Sequence, residues 1–374
     1  MLTRPCVGFR LYTPQKLAGR VIEPPVCDPS APRHIPHATA AADPLVFVSS
    51  FAPGEKGAIQ AYSFDTTAGK LTPLERTGGA EHPFYLALSP DKRFLYSIHA
   101  KQFGGKENEH VAAYQLVGRT GGLKLLNRVS AEGTAACYLD VDQTAKTVLV
   151  ANYSSGSVAS LPVKADGSLA PKASFFQHAG ASVNPKRQKE PHAHCIVVTP
   201  DNKFAFAADL GTDQILAYKL DPAAGTLAAN DPPFAATPPG AGPRHLTFHP
   251  NGKHVYVINE LLNSVTLFDY DAARGALTAR QTIPTLPPDF KGTSHTADLK
   301  LTPDGRYLYG TNRGHDSIAM FKVAGDGGLS LIGIEPSRGK GPQNLHVTPD
   351  GGWVLCANMP GDNVAVFRID RDTG

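Results

Sequence analysis

A chain of 374 residues with 41% hydrophobic and 18% charged side chains has the composition of a globular protein that buries a large core, which excludes a disordered or fibrous chain. Its net charge of +3, from 36 Lys and Arg against 33 Asp and Glu, forms no basic stripe of the kind that neutralises phosphates along a duplex, so nucleic acid is excluded as a partner. The continuous apolar runs are strand-sized, such as 45–48 and 204–208, against the roughly 20 residues a membrane helix needs, so no membrane span is expected.

Residues 1–43 read as an N-terminal extension. They carry Arg4, Arg10, Lys16 and Arg20 but no apolar stretch of about 7–15 residues, so they do not form an intact secretory signal and a cytoplasmic location is the expectation. From residue 44 the pattern changes to short apolar segments. LVFVSSF, GAIQAYSF and KLTPLERT supply three strands of a first, partial unit. Six fuller copies of one unit follow: HPFYLALSPDKRFLYSIH from His82, AACYLDVDQTAKTVLVANY from Ala135, HAHCIVVTPDNKFAFAADL from His192, PRHLTFHPNGKHVYVINEL from Pro243, HTADLKLTPDGRYLYGTNR from His295 and PQNLHVTPDGGWVLCANM from Pro342. Each holds two strands around a tight turn, and in five of them the turn opens on Pro followed by Asp or Asn, where Pro presets φ and the next residues tolerate the bend. A third strand follows, as in SVASLPV, SVTLFDY and NVAVFRI, and a fourth after a Gly-containing turn, as in RGALTARQT and DGGLSLIGI.

Equivalent apolar positions at Leu86, Leu139, Ile196, Leu246, Leu299 and Leu345 recur at intervals of 46–57 residues, a blade-sized period. Four antiparallel strands per unit make a propeller blade, and six units plus the partial one make seven. The fold class is therefore all-β, a seven-bladed β-propeller of four-stranded antiparallel blades over residues 44–374. An open β-solenoid fits less well, because its turns are much shorter than these units.

Cys6, Cys27, Cys137, Cys195 and Cys356 are scattered, with no CxxC pair for zinc or redox work, and the last three sit in strand-like runs where a small buried hydrophobe is expected. There is no GxSxG elbow and no HExxH among the fourteen histidines, so neither a serine nucleophile, a metal nor a cofactor is implied.

Over about residues 44–374 the chain resembles the lactonase propellers, the family of 6-phosphogluconolactonase and the fungal 3-carboxymuconate lactonizing enzyme. The resemblance rests on GAGPRHLTFHPNGKHVYVINELLNSVTLFDY, ADLKLTPDGRYLYGTNRGHDSIAMFKV and VLVANYSSGSVASLPV. It implies a lactone-directed site with one histidine, two arginines and a glutamate. Carried onto this chain, these are Arg244 of GPRH, Glu260 of NEL, Arg313 of TNRG, and His192 or His194 of PHAH, between which spacing does not decide. Asn152, Tyr153 and His295 are further candidates for contact with substrate. The same residues have structural readings: Arg244 could pair with an acidic turn, Glu260 could cap its strand or hold Arg244, and Asn152 and Tyr153 could serve the blade edge.

Opening a lactone needs a water activated by a base and a stabiliser for the charge on the carbonyl oxygen. Glu or His can act as the base, and the guanidinium fork suits both an oxyanion and a substrate phosphate or carboxylate. The expected partner is thus a small-molecule lactone, with a sugar-lactone hydrolase as the first reading; the oligomeric state is left open. A muconate-type lactonizing cycloisomerase and a non-enzymatic ligand-binding propeller are the alternatives. Members of the family continue past the FRID strand, where this chain stops at Asp372, Thr373 and Gly374. The segment GFRLYTPQKLAGRVIEPPVC is therefore expected to supply seam strands, with KLAGRVIE as an outer strand, as against a disordered extension.

Overall fold

The computed structural model describes residues 6–12, by their backbone, and residues 43–374. These form seven antiparallel sheets arranged as the blades of a propeller. The innermost strands are Cys6–Tyr12, Leu86–Leu88, Ala136–Val141, Ala193–Val198, Pro243–Phe248, His295–Leu301 and Pro342–Val347, and each contacts the next around a closed ring. The second strand of a blade is covered on both faces by its neighbours, so segments such as Phe204–Asp209 and His254–Asn259 are buried throughout. That is why they run apolar instead of alternating. Between blades 1 and 2, Leu45, Phe47 and Ile59 pack on Leu86, Leu95 and Ala112. Burial on this scale contributes about 1.5–3 kcal/mol per large side chain.

The repeated turn works as its composition implies. In blade 6, Thr302 Oγ1 donates to Asp304 Oδ1 at 2.6 Å and accepts the Tyr307 N–H at 3.1 Å, while Gly305 takes φ +74°. Ser89 with Asp91 and Thr199 with Asp201 repeat the hydroxyl-to-carboxylate bond in blades 2 and 4.

At the seam, Gly8 to Tyr12 of the segment GFRLYTPQKLAGRVIEPPVC fall in a strand of the ring. The strand Cys6–Tyr12 pairs antiparallel with Leu45–Ser50 and takes the innermost place of blade 1, between the inner strands of blades 7 and 2. The segments KLAGRVIE and PPVC lie outside the described residues. Among the described residues blade 7 has three strands, Pro342–Val347, Trp353–Asn358 and Asn363–Arg368, where the other six have four. Blades 7 and 1 are joined further out by Trp353, whose ring lies edge-on to Phe64 at 6.0 Å and whose Nε1 donates to Thr66 O at 2.8 Å. Among the described residues no helix is long and apolar enough to cross a membrane.

Candidate active site

A cavity of about 320 Å³ opens on one face of the disc, lined by Phe84, Phe103, Ala135, Cys137, Tyr153, Arg187, His194, Arg244, Glu260, Arg313, Gln343 and Met359. Two repeated positions supply most of this lining. Phe84, Cys137, His194, Arg244 and Gln343 each stand two residues before the apolar marker of their repeat, and Tyr153, Glu260, Arg313 and Met359 each follow an Asn at the end of the second strand.

The first position is aimed by a recurring irregularity. The pairing of inner strand to second strand skips one residue between Ala193 and Cys195, between Pro243 and His245 and between Pro342 and Asn344, and in blade 3 it shifts between Ala136 and Tyr138. The skipped residues are His194, Arg244, Gln343 and Cys137. A β-bulge leaves one residue unpaired and re-aims its side chain; repeated in these four blades, it directs four side chains into the same space.

Glu260 is the hub. Its Oε1 accepts from Arg187 Nη2 at 2.7 Å, and its Oε2 is 3.0 Å from Arg244 Nε and 2.8 Å from Arg313 Nη2. Burial alone would raise this carboxyl, but the guanidiniums of Arg313, Arg244 and Arg187 outweigh it and hold the group far below the usual carboxylate range. Three guanidiniums around one carboxylate leave the cavity strongly positive. His194 Nε2 lies 3.8 Å from Glu260 Oε2, and burial followed by the Arg244 charge pushes His194 well below its ordinary value, so it is neutral at neutral pH.

Arg244, 2% exposed, is held from behind. Its Nη1 donates to Ala297 O at 2.5 Å and lies 3.2 Å from His245 Nε2. Burial and then Arg244 lower His245 to about 3, so its neutral ring accepts from Arg244 while Nδ1 donates to Asp298 Oδ1 at 2.8 Å. Asp298 is itself fixed by Lys300 at 2.7 Å and by Asn344 Nδ2 at 2.7 Å. With Nε on Glu260 and Nη1 on Ala297 and His245, Arg244 has Nη2 without a protein hydrogen bond among the described residues, and the residue lines the cavity. Arg313 is more fully engaged, donating Nε to His295 O at 3.3 Å and Nη2 to Thr296 O at 2.9 Å.

The structure separates the two histidines of PHAH. His194 faces the cavity, whereas the His192 ring stacks on Tyr153 at 4.5 Å with Nδ1 3.0 Å from Tyr153 O. Tyr153 is in the lining and accepts from Arg187 Nη2 at 3.1 Å. Asn152 is not in the lining: its Nδ2 donates to Ala131 O at 2.9 Å and Ser157 Oγ at 3.3 Å. Asn259 with Ser264 and Asn312 with Ser317 repeat that bond, so the Asn position belongs to the blade scaffold. His295 sits beside the cluster through its carbonyl, and burial lowers its ring below the ordinary value.

Sequence reasoning missed Arg187, which sits in a charged run, Lys186 to Glu190, that reads as a solvated loop. It also missed the apolar wall. Phe84 and Phe103 stack at 4.6 Å, and the Phe103 loop is tied down by the Gly104 N–H donating to buried Glu109 at 2.9 Å. Phe84, Cys137 and Gln343 share the repeat position of His194 and Arg244, a signal present in the sequence once that position is known to be special. Cys137, Cys195 and Cys356 are buried free thiols, and Cys137 Sγ is 3.6 Å from His194 Nδ1. Among the described residues no group of three or more His, Cys, Asp and Glu is arranged to hold a metal ion.

Comparison with known proteins adds an independent line. The family described as Lactonase, 7-bladed beta-propeller, matches residues 45–374. A 6-phosphogluconolactonase of Bacillus subtilis is 35% identical over 300 residues, 80% of this chain and 83% of that protein. A 6-phosphogluconolactonase of Formosa agariphila is 31% identical over 80% of this chain and 85% of its own length. The periplasmic gluconolactonase of Pseudomonas aeruginosa superposes with a TM-score of 0.82 at 34% identity, covering 88% of this chain and 93% of that one.

Proposed function

The chain belongs to the seven-bladed β-propeller lactonase family, and from that membership and the geometry around Glu260 we propose that it opens a sugar lactone by hydrolysis, with 6-phosphogluconolactone the leading substrate. The observation that carries the reading is the arrangement of Arg244 and His194. They form a fixed cation with an open Nη2 and a neutral imidazole, both facing one cavity and both set there by β-bulges.

In the proposed reaction the lactone carbonyl oxygen takes hydrogen bonds from Arg244 Nη2. A water attacks the carbonyl carbon while its proton passes to His194, and the imidazolium so formed lies next to the Glu260 carboxylate, 3.8 Å away. Charge on the oxyanion is stabilised by the guanidinium, which is already in place and needs no reorganisation. The tetrahedral intermediate collapses by breaking the bond from carbonyl carbon to ring oxygen, and the ring oxygen leaves as a hydroxyl with the proton from His194. The product is the open hydroxy acid. Both Glu260 oxygens are occupied by guanidiniums, which supports an orienting role in preference to that of general base.

The test is to offer the purified protein δ-6-phosphogluconolactone, unphosphorylated gluconolactone and 3-carboxymuconate in parallel and follow acid release or ring closure. Hydrolysis of either sugar lactone well above its spontaneous rate is expected. Turnover of 3-carboxymuconate alone would replace the hydrolase by a lactonizing cycloisomerase, and inertness to all three would leave a ligand-binding propeller.

A further inference from the structure

We infer that Arg187 is the specificity residue of this cavity, the group that makes it select a lactone bearing a second, anionic substituent away from the ring carbonyl. The inference rests on the lactonase reading of the site but on different atoms.

Glu260 does not need Arg187 for neutralisation, because Arg244 and Arg313 already share its Oε2. Arg187 takes the other oxygen and is the most accessible of the three. Its side chain is 34% exposed against 26% for Arg313 and 2% for Arg244, and it comes from a loop instead of a strand. Only Nη2 is committed, to Glu260 Oε1 at 2.7 Å and Tyr153 Oη at 3.1 Å, so Nε and Nη1 have no protein hydrogen bond among the described residues. A guanidinium anchored at one nitrogen with others open toward a cavity it lines is a preset donor for a phosphate or carboxylate.

The loop is built to hold that aim. Next to Arg187, Gln188 is wholly buried, donating Nε2 to Leu210 O at 2.8 Å and to Asp213 Oδ1 at 2.7 Å while its Oε1 accepts the Asn184 N–H at 3.0 Å. Asp213 in turn accepts the N–H groups of Gly240 at 2.6 Å and Gly242 at 2.7 Å. The backbone that carries Arg187 is thus clamped to the turn between the second and third strands of blade 4 and, through Asp213, to the connection from blade 4 to blade 5, and the side chain is steered at its tip by Glu260 and Tyr153. A surface arginine with no ligand to meet would need neither constraint.

The test compares wild type, Arg187→Gln and Arg187→Lys on δ-6-phosphogluconolactone and gluconolactone, with thermal unfolding to confirm folding and calorimetric titration of 6-phosphogluconate and inorganic phosphate. The ratio of kcat/KM for the phosphorylated over the plain lactone should collapse by about 10²-fold in Arg187→Gln, mainly through KM, with Arg187→Lys recovering part of it. Binding of 6-phosphogluconate should weaken in parallel. An unchanged ratio, or equal losses on both lactones with 6-phosphogluconate binding intact, overturns the inference. If the wild type opens neither lactone yet binds phosphate in an Arg187-dependent way, the anion site stands and the lactonase reading fails.

Discussion

Replacing Glu260 by Gln keeps the shape of the hub and removes its charge, leaving Arg244, Arg313 and Arg187 around a neutral amide. Removing one partner of a buried ion pair costs about 3–5 kcal/mol, because the remaining charge stays buried and uncompensated. Gln retains one carbonyl oxygen as an acceptor, which points to the lower end, about 3 kcal/mol. At roughly 2 °C per kcal/mol for a chain of this size, the unfolding midpoint at pH 7 should fall by roughly 6 °C. The effect has a defined pH window. The Glu260 carboxyl is held below its ordinary value in the folded state, so its stabilisation is complete above the unfolded pKa of about 4.3 and is lost as pH falls from there through the depressed folded value. The gap in midpoint between wild type and variant should therefore be constant from about pH 6 to 8 and narrow below about pH 4.5. Kinetically, the arginines lose the acceptor that aims them, so kcat/KM should fall by about 10²–10³-fold with both kcat and KM affected. Differential scanning calorimetry at pH 7 and pH 4, with steady-state lactone hydrolysis at pH 7, measures all of this. A folded variant with wild-type midpoint, kcat and KM would refute the reasoning. A loss confined to kcat with an unchanged midpoint would return Glu260 to the role of base.

His194→Gln should fold normally and lose about 10²–10⁴-fold in kcat. Because His194 is held well below its ordinary value, wild-type kcat/KM should stay level as the pH is lowered through 6.5 and fall only in more acid solution; a loss centred at pH 6.5 would point to a different base. Arg244→Lys keeps the charge but loses Nη2 and leaves buried acceptors at Ala297 and His245 without their full set of donors, so a fall of about 10²-fold in kcat with a midpoint lower by a few degrees is expected, and retention of full activity would remove Arg244 as the oxyanion donor. Deleting residues 1–12 takes away the strand Cys6–Tyr12 that pairs with Leu45–Ser50 in blade 1, and should lower the unfolding midpoint by several degrees; an unchanged midpoint would show that the ring closes without it.

The architecture was legible in the chain because a propeller repeats one supersecondary unit, and the unit writes itself six times as two strands around a tight turn, five of them opening on Pro followed by Asp or Asn. Arg244, Glu260 and Arg313 were legible as residues of one site through resemblance, and a lactone-directed chemistry with them. Their roles were not, because base, clamp and cap look the same in sequence until partners are counted: three guanidiniums on Glu260 support its reading as a clamp. The choice between His194 and His192 was equally closed to sequence, since the two are two residues apart and a regular strand would point both the same way. A bulge at His194 aims that ring into the cavity, while His192, just before the strand, folds back on Tyr153. Arg187 lay furthest from view, because its loop run has no period, and Glu260, its partner, is 73 residues away in the chain. Periodic local pattern determines strands and blades, since those depend on neighbours in sequence. The candidate site depends on where the blades meet, and only closure of the ring brings a bulged arginine, a strand-end arginine and a loop arginine onto Glu260, with a bulged histidine 3.8 Å from it.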